Sequence, residues 1–220
     1  MIFPVDYYLS AIKVITVTKQ SRSLPVMQAV LDEVCDQLMH SDESLIRIPD
    51  VCKATGVNYG SVYHHFGSRE GVIDAAYNML FSKLAEEDIQ VLREVSDTAT
   101  TLDEYIGALA PLVERFSSGP DRLKRRSIRV RIVAASITRP ELRVLIGLTQ
   151  NRLTEELVRL VELGQDRGWL RRDISARSIA VALQVLIFGR ILDDISLNPI
   201  DTTEWEFAMG AFFASLFNLP

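Results

Sequence analysis

The sequence contains few of the residues that several protein classes require. Only two of its 220 residues are cysteine and only three are histidine. Cys35 and Cys52 form no CxxC pair, so we expect neither a disulfide scaffold nor a four-ligand zinc site. No uninterrupted apolar run approaches the ~20 residues that span a bilayer. The first residues also lack the pattern of a signal peptide. We therefore expect a cytoplasmic protein with no membrane partner.

Signals for catalysis are also missing. The chain has no glycine-rich phosphate loop, no nucleophile elbow and no His/Glu spacing suited to a metal. Two of the three histidines, His64 and His65, are adjacent, and neighbours on a helix point in different directions, so we expect no metal site. An enzyme is the weakest interpretation and would need unexpected carboxylate chemistry. We expect no catalytic residue and no cofactor.

The composition itself indicates an ordinary folded chain. Apolar residues make up 48% and charged residues 24% of the sequence, and the formal net charge is −5. A disordered chain has fewer apolar residues and a higher net charge. The length permits one large domain or two small ones.

The apolar period is helical almost throughout, which predicts an all-α fold of about nine helices. One stripe begins the pattern and comprises Met27, Val30, Leu31, Val34 and Leu38. Thr100-x-x-Asp103 resembles a capping box at the start of a later helix. Gly168 is placed to end a long helix. Further helices are predicted over 69–92, 100–116, 121–136, 139–166, 176–192 and 203–218.

The segment 47–66 carries the most specific pattern. A short helix from Pro49 to Thr55 is followed by Gly56, then by Asn58 as a cap and a second helix over 59–65. Two short helices joined by a glycine-containing turn are typical of a helix-turn-helix. In that motif the second helix enters the DNA major groove by its N-terminal residues.

These residues resemble the TetR-type (TetR/AcrR) family of transcriptional regulators. The family pattern is matched over about 25 residues, in GVNYGSVYHHFGSREGVI. The resemblance implies an N-terminal helix-turn-helix domain and a C-terminal helical domain that dimerises and binds a small ligand. We therefore predict an N-terminal extension over 1–24, a DNA-binding domain over 25–75 and a C-terminal domain over 76–220.

The resemblance also implies which side chains meet DNA. Tyr63 and His64 match phosphate-contacting positions, and residues 58–61 match positions that contact bases or the backbone. Arg47 stands where the family usually has a capping Ser or Thr, and Tyr59 where it often has Lys or Arg; Tyr59 offers a surface for a sugar or a thymine methyl. The predicted DNA-binding residues are Arg47, Lys53, Asn58, Tyr59, Gly60, Ser61, Tyr63, His64 and Arg69.

The local charge departs from what DNA binding favours. Residues 25–75 contain three basic and eight acidic residues, whereas phosphate neutralisation supplies most non-specific affinity. This acidity keeps open the alternative of a helical adaptor that binds protein rather than DNA. A dense basic run, 122–131, is expected to pair with the acids of the preceding segment, such as Glu86, Glu87 and Asp88. For residues 1–24 we favour a packing arm over a DNA-reaching tail of Lys13, Lys19 and Arg22.

The sequence favours a repressor that a small-molecule effector releases from a palindromic, double-stranded operator. The last two long helices are apolar nearly all round, which indicates a homodimer interface. The predicted interface residues are Leu183, Ile187, Gly189, Trp205, Met209, Phe212 and Phe213. The predicted effector pocket is lined by Met79, Leu109, Leu112, Phe116, Ile132 and Leu145.

Overall fold

The computed structural model describes residues 24–117 and 121–218. Within this part of the chain the fold is all-helical, with nine helices of eight residues or more and one isolated β-bridge, Leu170 to Phe217. The all-α prediction is confirmed. The helices are α1 (Leu24–His40), α2 (Ile48–Thr55), α3 (Tyr59–Phe66), α4 (Arg69–Thr98), α5 (Leu102–Ser117), α6 (Arg122–Thr138), α7 (Pro140–Asp166), α8 (Ala176–Gly189), the four-residue α9 (Ile191–Asp194) and α10 (Thr202–Ala214).

The chain divides into two compact units. Among the residues that the structure describes, unit 1 comprises those from 24 to 83 together with Arg131–Leu148, and unit 2 comprises those from 84 to 130 together with those from 149 to 218. Unit 1 therefore includes α1 to α3, the first part of α4 and the segment where α6 ends and α7 begins. The predicted domain boundary at residues 75/76 stays a prediction.

The core of unit 1 forms around the first predicted apolar stripe. Val30, Val34 and Leu38 of α1 are fully buried. They share the core with side chains of the motif and of α4, among them Ile48, Val51, Val62, Val72, Ile73 and Ala76. The spacing of the stripe at i, i+4 and i+8 places these side chains on one helix face, as the helical period requires.

The core of unit 2 is built from α4, α5, α7, α8 and the C-terminal segment. Its buried cluster includes Ile89, Tyr105, Leu160 and Ile179. The hydroxyl of Tyr105 donates to the carbonyl oxygen of Leu160 at 3.0 Å, so this buried polar group is satisfied. Burial also raises the pKa of Tyr105, which keeps the phenol neutral.

Three predicted helix details are corrected. The capping box of α5 lies one residue later than predicted: Thr101 Oγ1 accepts from the backbone N–H of Glu104 at 3.2 Å, and the Glu104 carboxylate accepts from the N–H of Thr101 at 3.2 Å. The predicted helix 176–192 is interrupted, because α8 ends at Gly189. Glycine weakens a helix interior, which suits this break.

The predicted helix 203–218 also ends early, at Ala214. The reason is a long-range contact. The N–H of Arg171 donates to the carbonyl oxygen of Leu216 at 2.9 Å, and the N–H of Asn218 donates to that of Trp169 at 2.8 Å. These bonds replace helical bonds, so the last residues run alongside residues 169–171. The predicted end at Gly168 is confirmed, since Gly168 adopts a φ of 76° after α7.

Three arginines of the basic run form ion pairs. In unit 2, Arg125 contacts Glu87 at 2.6 Å and Asp88 at 3.2 Å, and Arg129 also pairs with Asp88. Arg126 pairs with Asp194. The expectation that this run pairs with the preceding acids is therefore confirmed for Glu87 and Asp88, whereas Glu86 pairs with Arg152, which lies outside the run.

No helix among the described residues has the length and apolar character needed to cross a membrane.

Candidate nucleic-acid interface

The turn between α2 and α3 has the geometry of a helix-turn-helix. α2 ends at Thr55 and is followed by its C-cap Gly56, whose φ of 71° lies in the left-handed region that favours glycine. Val57 follows and is buried. The two helices occur at 48–55 and 59–66, within one residue of the prediction at each boundary.

The start of α3 is fixed by a local cap. The side-chain oxygen of Asn58 accepts from the backbone N–H of Gly60 at 2.8 Å. Such a bond satisfies one of the backbone donors that a helix start leaves free. The start of α2 differs, since Arg47 is its N-cap and makes no side-chain cap bond, while Pro49 lies in the first turn. An arginine cannot accept the cap bond, as the sequence predicts.

One side of the motif is buried and the other is exposed. Val62 of α3 is fully buried and Phe66 is half-buried, so these apolar residues attach the helix to unit 1. Tyr63 is half-buried. The other predicted DNA-binding side chains of the two helices and their caps are exposed; they are Arg47, Lys53, Asn58, Tyr59, Ser61 and His64, and Gly60 is exposed beside them.

The two tyrosines of α3 stack on each other. The ring centroids of Tyr59 and Tyr63 lie 4.5 Å apart, with their planes inclined by 32°. A hydrogen bond to the Tyr59 side chain raises the pKa of Tyr63, so the Tyr63 phenol is neutral. Tyr63 therefore brings no charge to α3.

Arg69 makes contacts within unit 1. Its Nε donates to the carbonyl oxygen of Ile46 at 3.0 Å, and one of its terminal nitrogens donates to the carbonyl oxygen of Glu43. These bonds attach the start of α4 to the segment that precedes α2. The assignment of Arg69 to DNA stays a prediction, and its observed contacts favour a positioning role.

The acids of unit 1 are partly neutralised by arginines from later in the sequence. Arg139 pairs with Asp74 at 2.8 Å and also with Glu43. Arg131 donates to the carbonyl oxygens of Leu38 and Ser41 at 2.6 Å each, at the C-terminal end of α1. Cations are favourable at that end of a helix.

Sequence reasoning missed both arginines, because no local pattern links residues 65 to 96 positions apart. The only signal available was the local excess of acids in residues 25–75, which calls for cations from elsewhere in the chain.

The predicted effector-pocket residues fall into three groups. Met79, Ile132 and Leu145 lie in unit 1, where Ile132 is fully buried, and Leu109 lies in unit 2. The side chains of Leu112 and Phe116 lie outside the described residues, as do residues 1–23 of the predicted N-terminal extension. The pocket stays a prediction.

The predicted interface residues are half-buried in unit 2, except for Met209, and their role stays a prediction. Leu183, Phe212 and Phe213 pack against its core, and Met209 is buried. Trp205 lies beneath the guanidinium of Arg190, whose central carbon is 4.5 Å from the ring centroid. Ile187 and Gly189 are half-buried.

Other apolar residues of the same helices are exposed instead. They are Val181, Val185 and Phe188 of α8 and Phe207 of α10. Helices that are apolar nearly all round give no indication of which face is internal, so the sequence could not choose between the two sets.

Comparison with known proteins supports the motif. The family model described as bacterial regulatory proteins, tetR family, matches residues 46–76. Among characterised relatives, the chain is 21% identical over 191 residues to the HTH-type transcriptional regulator UidR of Escherichia coli (strain K12), which covers 87% of this chain and 91% of that protein. It is 28% identical over 139 residues to the HTH-type transcriptional repressor AcnR of Corynebacterium efficiens, covering 63% and 65% of the two chains.

Solved structures show the same fold over nearly the whole chain. A transcriptional regulator from Saccharomonospora viridis in complex with choline superposes with a TM-score of 0.70 at 20% identity, covering 91% of this chain and 100% of that one. GusR of Salmonella enterica superposes with a TM-score of 0.60 at 20% identity, covering 78% and 84%. The helix-turn-helix, the family match over residues 46–76 and these relatives support a TetR-type transcriptional regulator that binds DNA.

Proposed function

We propose that this regulator is a homodimeric repressor that binds a palindromic operator and that a small-molecule effector changes its affinity for DNA. The observation that carries the proposal is the exposed side of the motif. A capped, glycine-terminated pair of short helices presents Arg47, Lys53, Tyr59, Ser61 and His64 while Val62 is buried. In this motif the first turn of the second helix meets base edges and the first helix crosses the backbone.

The cations of the motif are suited to the backbone. Arg47 immediately precedes α2, and Lys53 lies on its last turn. Both side chains are exposed. Each lysine or arginine that neutralises a phosphate releases condensed counterions, so these two residues would supply affinity that depends on salt and little on sequence.

Dimerisation is supported by the exposed apolar residues of unit 2. Val185 is 63% and Phe207 81% exposed. Exposed apolar patches of this kind mark interaction surfaces. We take a second copy of the chain as the partner, since two equivalent recognition helices bind the two half-sites of a palindrome. We assign Val181, Val185, Phe188 and Phe207 to this interface.

The effector is proposed as a class only. The Saccharomonospora viridis relative was solved with choline, which supports a small-molecule ligand for proteins of this fold. A ligand that fits only one arrangement of the helices shifts the population toward that arrangement. Half-sites lie about one helical turn of DNA, ~34 Å, or a multiple of it apart, so a change in the separation of two recognition helices releases the operator.

Selection of bound sequences from a random duplex pool, at two salt concentrations, tests operator binding. We expect a palindrome with two half-sites, whose affinity falls as salt rises. Recovery of no sequence by a folded dimer at low salt would contradict the proposal.

Two alanine variants locate the DNA contact on the motif. Lys53→Ala and Arg47→Ala should each weaken binding similarly on every sequence, and each should lower the slope of log K against log salt by about 0.9 for every protomer that loses a phosphate contact. Lys83→Ala is the matched control, because Lys83 is also an exposed cation of unit 1 but lies about 20 Å along α4 from Arg69. If neither motif variant changes the binding affinity, the alternative of a helical adaptor that binds protein is favoured instead.

A charge placed on the proposed interface tests dimerisation. Val185→Glu with Phe207→Glu should yield a monomer in light scattering and weaken operator binding by about 10²–10⁴-fold, since the linkage of two half-site contacts is lost. Ile137→Glu is the control: Ile137 is 69% exposed but belongs to unit 1. A double variant that remains a dimer would move the interface elsewhere.

A further inference from the structure

The first turn of α3 exposes one long side chain whose polar and apolar atoms are available to a partner. The side-chain oxygen of Asn58 accepts the cap bond from Gly60, which itself has no side chain. Ser61 is exposed but short. Tyr59, the first residue of α3, is 48% exposed and extends beyond them.

The ring of Tyr59 is held in place before any partner binds. Tyr63 lies one turn later, and a side chain at i+4 leans back over residue i of a helix. The two ring centroids are 4.5 Å apart and the planes are tilted by 32°. A side chain that is already ordered loses less entropy on binding, which favours its use in recognition.

The tyrosine at position 59 offers a partner different chemistry from the basic residue that the pattern usually has there. A basic residue at position 59, as in the pattern that the motif resembles, would contribute a charge and a donor to guanine or phosphate. A tyrosine contributes an apolar ring and one hydroxyl. Among the four bases, only thymine presents an apolar group in the major groove, its 5-methyl group.

We propose that the stacked Tyr59–Tyr63 pair makes this protein select thymine at one position of each half-site, with the ring of Tyr59 against the 5-methyl group. The assignment rests on the proposed operator binding and adds a base preference to it. Tyr59 makes the contact, and Tyr63 is a positioning residue that holds the Tyr59 ring.

Replacement of thymine by uracil isolates the methyl contact. In the selected operator, each thymine is replaced by uracil in turn, symmetrically in both half-sites, and Kd is measured for every duplex. At one position we expect a loss of about fourfold per half-site and about fifteenfold for both, the size expected for removing one buried methyl group at each. The other replacements serve as internal controls and should leave Kd nearly unchanged.

Variants of α3 then connect the preference to the tyrosines. Tyr59→Ala should bind thymine and uracil duplexes equally. Tyr59→Lys should also lose the preference and should steepen the salt dependence by about 0.9 for each half-site, because it restores a cation. Tyr63→Phe keeps the stacked ring and should keep most of the preference, and Lys83→Ala, which lies outside the motif, should keep all of it. Because Tyr59 is half-exposed, its variants should unfold at nearly the temperature of the parent protein.

The outcomes separate this assignment from operator binding itself. Equal Kd values for thymine and uracil at every position, or a preference that persists in Tyr59→Ala, would overturn the role of the pair while operator binding stands. If no duplex is bound at any salt concentration, the proposed function fails and the assignment fails with it. A single uracil-sensitive position per half-site that Tyr59→Ala abolishes would establish it.

Discussion

The two units of this chain fix their helix ends in different ways. In the motif of unit 1, residues next to each boundary set it: Gly56 adopts a positive φ and Asn58 caps α3. In unit 2, α10 ends where residues 216–218 bond to residues 169–171, about 45 positions earlier in the sequence. A boundary set by its neighbours can be read from a short pattern, and one set by a distant segment cannot.

The two units also differ in whether their basic side chains are exposed or paired with acids. In the motif of unit 1, the side chains of Arg47 and Lys53 are exposed and available to a partner. In unit 2, the dense basic run is taken up by acids that lie far away in the sequence, such as Asp88 and Asp194. The density of basic residues is thus a poor indicator of a DNA surface, because acidic side chains from distant parts of the sequence can form ion pairs with those basic residues.

The largest effect should come from the carboxylate on which two arginines of unit 2 converge. Asp88→Asn leaves Arg125 and Arg129 without their shared acid, and breaking a buried ion pair in this way costs about 3–5 kcal/mol. Urea unfolding measures the loss. Asp74→Asn is the counterpart in unit 1 and should cost less, because burial already raises the pKa of Asp74 despite its bond to Arg139. Equal losses would break the contrast between the units.

A glycine pair provides the next largest effect. Gly56 and Gly168 have φ values of 71° and 76°, and an added Cβ meets nothing within 4 Å at either. Alanine at either position should therefore cost about 1–2 kcal/mol of folding free energy through backbone strain alone. Only Gly56→Ala should also weaken operator binding, since it lies in the motif. An equal loss of DNA affinity in Gly168→Ala would contradict this division.

Removal of a helix cap should lower the free energy of unfolding by about the same amount in both units. Asn58 accepts from the N–H of Gly60 at 2.8 Å, and Asp201 accepts from the N–H of Thr203 at 2.8 Å. Asn58→Ala and Asp201→Ala should each lower the free energy of unfolding by about 1 kcal/mol in urea titrations. A much larger loss for Asp201→Ala would show that the loop before α10 also depends on that residue.

The smallest effect concerns acid stability. Burial opposes ionisation of Glu156, but bonds from Arg93 at 2.7 Å and Arg159 at 3.0 Å lower its pKa overall. A carboxyl whose folded pKa is lowered adds stability above its unfolded pKa, about 4.3, and loses it as the pH falls through the folded value. The unfolding free energy of the parent protein should therefore fall more between pH 6 and pH 3 than that of Glu156→Gln. If the unfolding free energies of the two proteins fall in parallel as the pH is lowered, Glu156 does not contribute to acid stability.

Much of the fold was predictable because helices follow a local period. The starts of α4 and α8 were predicted at the observed residues, and those of α6, α7 and α10 within one residue. The capping box of α5 was misplaced by one residue, since Thr100 and Thr101 are both hydroxyl residues with an acid three positions on. The structure uses Thr101 with Glu104, and Glu104 also accepts from the N–H of Thr100 at 2.7 Å.

The candidate site was predictable to a similar extent. The exposure of Lys53 and the burial of Val62 follow from a motif that spans twenty residues. The engagement of Arg69 with the carbonyls of Glu43 and Ile46 does not, because it joins segments more than twenty residues apart. The stacking of Tyr59 on Tyr63 lies between these cases: the spacing allows it, and the packing of α3 determines which way the pair faces.

The sequence by itself determined the helical class, the helix-turn-helix and the resemblance to TetR-type regulators, since each depends on residues within one or two turns of one another. Only the tertiary structure decided which face of α8 and α10 is internal, which acids take up the basic run and where α10 ends. Those outcomes depend on side chains and backbone groups that meet across tens of positions. Neither hydrophobic packing nor electrostatic pairing leaves a local pattern at such a distance.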